Sequence, residues 1–74
     1  MKDKIIYAEK YITKNKFTFK NGETYTGYVL DVGKIKNSNS LQVYISPEED
    51  PPIYYLHGII VNSDLIVDME EVEE

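Results

Sequence analysis

From residue 17 onward, apolar and polar positions alternate in short runs, the period that places successive side chains on opposite faces of a strand. Leu41, Val43 and Ile45 share one face of such a run, with Gln42 and Tyr44 on the other. Phe17-Thr18-Phe19 and Thr24–Leu30 form a second pair of runs, separated by Lys20-Asn21-Gly22-Glu23. Asn-Gly between two β-rich stretches predicts a hairpin with a type I′ turn, because that turn needs positive φ at both central residues. Gly27, inside the second strand, predicts a bulge or sharp bend. Gly33–Ser40 reads as a polar loop with one apolar residue, Ile35. Ser46–Pro52 reads as another, since three prolines and three adjacent acids suit neither a helix nor a strand interior. Ile53–Val61 is apolar apart from Tyr54 and Tyr55 and the interruption at His57 and Gly58. Asn62-Ser63-Asp64 predicts a turn, Leu65–Val67 a short last strand, and the like-charge run from Glu70 a frayed end.

The N-terminal segment supports two readings. Ile5, Ala8 and Ile12 fit a helix face, while Ile6, Ala8 and Ile12 fit a strand face, and the Ile, Tyr and Thr content leans toward a strand. Elsewhere Val, Ile, Thr, Tyr and Phe dominate the apolar stretches and alanine occurs once. The expected fold class is therefore all-β: a small, strongly bent barrel of about five or six strands, preceded by a strand or short helix. Residues 1–69 form one domain and 70–74 an acidic tail.

Composition narrows the picture. A chain of 74 residues buries only about 60% of its unfolded surface, so its core is small. The chain has no cysteine to supply a disulfide or a thiolate metal site. It has no run of about 18 apolar residues to span a bilayer. Near the N-terminus only Ile5 and Ile6 adjoin before charge returns at Glu9, too little for a signal peptide. A cytoplasmic protein without a membrane role is expected.

Charge is distributed unevenly. Residues 1–36 carry all eight lysines against Asp3, Glu9, Glu23 and Asp31, a net charge of +4, whereas residues 37–74 carry nine carboxylates and no lysine or arginine. Such a split steers ligands of opposite sign to different faces.

Two stretches bear a family resemblance. Phe19-Lys20-Asn21-Gly22-Glu23-Thr24-Tyr25-Thr26-Gly27 has an apolar strand, an Asn-Gly turn and a second glycine five residues later. Tyr55-Leu56-His57-Gly58-Ile59-Ile60 is similar to a Tyr-Lys-His strand motif. Together, over roughly residues 17–67, they resemble the Sm-like family, including the bacterial Sm-like RNA chaperones. The resemblance implies an N-terminal helix, five bent strands in an SH3-like or Sm-like barrel, and a ring joined edge strand to edge strand near 53–61 and 64–69. It also implies RNA-contacting positions at Asn37 and His57. However, Ile35 occupies the family's stacking position, Gly33 stands where an aspartate is usual, and Leu56 replaces the motif's lysine.

The candidate chemistry is sparse. His57 is the single histidine, and Ser46, Ser63 and Asp64 show no nucleophile-elbow spacing, so no catalytic residue is assigned. A strand histidine hydrogen-bonded to a neighbour is the commoner role. Glu48-Glu49-Asp50 lacks the glycine-turned alternation of a calcium loop, and no metal or cofactor is expected. Seven tyrosines suit core filling and protein interfaces better than base stacking, because Tyr44, Tyr54 and Tyr55 lie in the half without lysine. Lys10, Lys14, Lys16 and Lys20 cluster, but without arginine and at net charge −5 nucleic acid is a poor partner. The expected function is non-enzymatic protein binding: docking on a basic partner surface, as small acidic inhibitors encoded by phages and mobile elements do, or self-association into a homo-oligomer. Its contact residues would be Glu48, Glu49, Asp50, Tyr54, Tyr55, Asp64, Asp68, Glu70 and Glu71. The alternative is a divergent Sm-like RNA-binding ring.

Overall fold

A computed structural model describes residues 1–47 and 58–73. Its elements run α1 (Lys2–Tyr11), β1 (Lys14–Phe19), β2 (Thr24–Lys34), β3 (Leu41–Pro47), β4 (Ile59–Asn62), a single 3-10 turn (Ser63–Leu65) and β5 (Ile66–Glu71). The strands form one antiparallel sheet in the order β4-β3-β2-β1-β5.

The ambiguous N-terminus is a helix. Ile5 and Ala8, three residues apart, are its buried positions, and it packs against β2. Asp3 in the first turn and Lys10 in the last complement the helix dipole. The intrinsic lean of Ile, Tyr and Thr toward strand is overridden by this packing. The helix stops at Ile12, which adopts the left-handed conformation (φ 51°), and Thr13 N–H closes the end on the Ala8 carbonyl at 3.2 Å.

The first hairpin forms where the sequence places it, with a different turn. Gly22 has φ 87°, whereas Asn21 does not have positive φ, so the type I′ expectation is corrected. Gly22 N–H donates to Phe19 O and Phe19 N–H to Glu23 O, both at 2.9 Å, closing a three-residue loop with glycine at its left-handed position. This is the alternative hairpin turn in which a bulge follows a tight turn. Asn21 Oδ1 accepts from Glu23 N–H at 2.9 Å, the local bond that suits asparagine to turns.

Gly27 answers a different need from a bulge. A Cβ there would collide with the Ser46 carbonyl oxygen, so glycine lets β2 and β3 approach closely. The bulge comes later: Val29 pairs with Ile45 and Asp31 with Tyr44, leaving Leu30 as the extra residue. On β3, Leu41, Val43 and Ile45 are buried as their alternation predicts. They join Ile5, Ala8, Phe17, Val29, Ile66 and Met69 in one core.

β5 runs through Glu70 and Glu71, where the like-charge run predicted fraying. Each has a partner on β1: Lys16 opposite Glu70 and Asn15 opposite Glu71. A second bulge, at Val67, lets Ile66 and Met69 face inward together.

The connection from β4 to β5 dictates the shape of the sheet. In a flat five-stranded sheet the outer strands would lie about 19 Å apart. A three-residue 3-10 turn joins them here, spanning about 8 Å at its usual rise. The sheet must therefore curl strongly at that end. β4 and β5 are nonetheless not hydrogen-bonded to each other, and the sheet remains open.

Candidate functional site

The two outer strands have unlike edges. β4 pairs with β3 alone, through Gln42↔Asn62, Val43↔Val61, Tyr44↔Ile60 and Ile45↔Ile59. Its other backbone row has no strand partner among the described residues, and its four residues, Ile59-Ile60-Val61-Asn62, include no charge. Ile59 and Val61 lean on the core, whereas Ile60 is 60% exposed. Shortness, charges, prolines and bulges are the usual devices that stop an edge from adding a strand. β4 is short, at four residues, but carries no charge, proline or bulge.

β5 is guarded. Asp68 and Glu70 occupy its outer face opposite Thr18 and Lys16, and Val67 forms its bulge. Inward-pointing Met69 and Ile66 anchor it to the core. Between the β4 edge and the tip of the first hairpin runs a groove of about 450 Å³, lined by Phe19, Lys20, Ile59, Ile60, Val61 and Leu65 among others. This groove is the unclosed seam of the curled sheet. Lys20 N–H donates to Leu65 O at 2.9 Å and holds the hairpin tip at its end.

The residues singled out in the sequence do not form one patch. Asp68 and Glu70 share a face, while Glu71 points to the opposite face beside Asn15. Asp64 lies on the 3-10 turn, where its carboxylate accepts a hydrogen bond from the Ser40 hydroxyl. Leu41 N–H donates to Ser63 Oγ at 2.9 Å, and Asp64 N–H to Asn62 Oδ1 at 2.8 Å. The Ser40–Asp64 and Leu41–Ser63 bonds fasten the end of the β2–β3 loop to the β4–β5 turn, and the Asp64–Asn62 bond closes the turn itself. Glu48, Glu49, Asp50, Tyr54, Tyr55 and His57 lie outside the described residues. Asn37 is exposed in the β2–β3 loop with φ 63°, a conformation asparagine tolerates.

Folding also changes the meaning of the charge split. Lys16 of the basic half stands directly across from Glu70 of the acidic half, so the two signs meet within the sheet. Along the chain they look like two poles; in the fold they are neighbours. No sequence rule pairs the first strand with the last, so this neighbourhood is invisible along the chain.

Of the tyrosines, Tyr7 and Tyr11 are exposed on α1 with ring centroids 4.7 Å apart, and the Lys10 ammonium lies 5.4 Å from the Tyr11 centroid. Tyr25, Tyr28 and Tyr44 are half-buried. Among the described residues, no three His, Cys, Asp or Glu side chains converge to hold a metal ion, and no helix is long and apolar enough to cross a membrane. No protein-family model, curated protein or solved structure matches the chain.

Proposed function

We propose that this protein is a non-catalytic interaction module that self-associates edge to edge, the bare β4 of one copy pairing with the bare β4 of another. The observation that carries this reading is the uncharged, unprotected β4 edge with Ile60 exposed on it, beside an apolar seam. Strand addition would satisfy the open backbone row and cover Ile60 in one step. Because the same edge serves both copies, the contact is isologous and closes as a twofold dimer. In this reading the curled sheet is an SH3-like or Sm-like barrel.

Light scattering coupled to size exclusion tests the proposal. The mass of a dimer is expected at about 100 µM, and a monomer persisting to about 1 mM, the limit of useful affinity, would overturn it.

The divergent Sm-like RNA ring is the second reading. The helix followed by five strands, and the bonding of the β2–β3 loop to the β4–β5 turn, are the observations in its favour. Against it, the Asp64 carboxylate stands beside the loop that carries Asn37, where it would repel phosphate. A gel shift with A-rich and U-rich RNA at about 150 mM salt separates the two, and retention of the RNA would favour the ring.

A further inference from the structure

Symmetry restricts how two β4 strands can meet. A twofold axis that joins them with their core faces on the same side stands perpendicular to the sheet, and the strands run antiparallel. Residues directly opposite each other in a ladder point to the same face. The axis also keeps every residue on its own face, so an inward residue meets an inward one and an outward residue an outward one. Ile59 and Val61 lean on the core, whereas Ile60 points outward beside Tyr44 of β3, and Asn62 follows it on that side by the strand period. The axis therefore passes through a residue and never between two.

Two registers keep most of β4 paired. Centred on Ile60, the ladder sets Ile60 against Ile60 on the outer face and Ile59 against Val61 twice on the inner one. Centred on Val61, it sets Val61 against Val61 but places Ile60 opposite Asn62 twice. The second leaves the most exposed large apolar side chain among the described residues beside an amide. That amide is already committed, since Asn62 Oδ1 accepts from Asp64 N–H at 2.8 Å and ties the side chain to its own 3-10 turn. The first matches apolar with apolar at each of these positions and brings no charge to the contact.

We propose that the second copy docks with the twofold axis through Ile60, the two Ile60 side chains packing on each other between the flanking Tyr44 rings. This inference rests on the β4–β4 reading and adds the residue on which the partner is centred. Neither register is favoured by the backbone, because both leave the same open row to be paired. Side chains decide: burial of Ile60 against its own copy removes apolar surface that the other register leaves against a polar group.

Disulfide trapping tests the register, and the chain has no cysteine of its own to confuse it. Opposite residues have Cα atoms about 4.5–5.5 Å apart, within reach of a disulfide. With the axis on Ile60 the two Val61 Cα atoms are offset along the strands to about 8 Å, beyond the limit of about 7 Å. At about 100 µM, Ile60→Cys should therefore oxidise to a covalent dimer at least about tenfold faster than Val67→Cys, an exposed β5 position that measures collision. Val61→Cys alone should not exceed that collision rate, whereas a mixture of Ile59→Cys and Val61→Cys should link one to the other. Ile60 is exposed in the single copy, so its variant should keep the fold, which a melting curve checks. Rapid linking of Val61→Cys to itself would overturn the register and move the axis to Val61. Linking of Ile60→Cys no faster than Val67→Cys, in a sample whose wild type scatters light as a dimer, would overturn it and leave self-association standing. A wild type that stays monomeric would overturn both.

Discussion

The two ends of the sheet solve the same exposure problem in opposite ways. β5 is six residues long, joins the core through Ile66 and Met69, and presents Asp68 and Glu70 outward with a bulge at Val67. β4 is four residues long, has no charge and leaves Ile60 on the surface. A strand that serves only the fold gains from protection, because an open edge recruits other chains. On the proposed reading, the difference separates a strand that holds the domain together from one that receives a second molecule.

Charging the bare edge should break this contrast most severely. Ile60→Lys gives β4 the protection that β5 already has, and in an assembled interface it buries an unpaired ammonium. Such a charge costs about 3–5 kcal/mol, so association should weaken on the order of a thousandfold. Ile60 is exposed in the single copy, so the thermal midpoint of the monomer should move little. Analytical ultracentrifugation of wild type and variant reads the first effect and a melting curve the second. An unchanged sedimentation profile would mean that β4 is not the contact.

Truncating the anchor of the guarded edge should act the other way. Met69 is 4% exposed and faces Phe17 across the β1–β5 pair. Met69→Ala removes buried methylenes and leaves a cavity, a loss of about 2–5 kcal/mol. The half-buried Val61 of β4, shortened to alanine, should cost about 1 kcal/mol by the same reasoning. Urea denaturation at a concentration where both variants are monomeric compares them. Equal losses would remove the distinction between an anchoring strand and an available one.

Much of this arrangement was legible in the sequence, and the exceptions share a cause. The first hairpin, the buried alternation of β3 and the turn at Asn62–Asp64 are local, set by strand period and turn chemistry within a few residues. The sequence leaves the helix undecided because its formation rests on tertiary packing, with Ile5 and Ala8 buried on a helix that contacts the distant β2, against the propensity of the neighbouring residues. The hairpin turn differed because Asn-Gly serves both a two-residue and a three-residue loop, and the Phe19 and Glu23 pairing selects the second. β5 extends through Glu70 and Glu71 because β1, more than fifty residues earlier, supplies their partners. The candidate site divides along the same line. Of the edge strands expected near 53–61 and 64–69, the described residues show β4 and β5, while the dispersal of Asp64, Asp68, Glu70 and Glu71 over different faces arises from long-range pairing that no local pattern encodes.

The smallest effect concerns the charges of β5 itself. Glu70 stands opposite Lys16 on an exposed face, and Lys14 lies two residues from Lys16 on the same side of β1. Glu70→Lys puts like charges directly across the ladder, which should destabilise the fold by about 0.5–1 kcal/mol at low salt. The penalty should shrink toward zero near 1 M salt, where the screening length falls to about 3 Å. If the acid serves only edge protection, the new lysine protects equally well, and the oligomeric mass should not change. If Glu70 instead contributes a cross-subunit contact, association weakens along with stability, and the loss of mass persists in conditions where stability has recovered. Chemical denaturation and light scattering, both read across a salt series, therefore distinguish a guard on β5 from a participant, which is the finest division that the two edges allow.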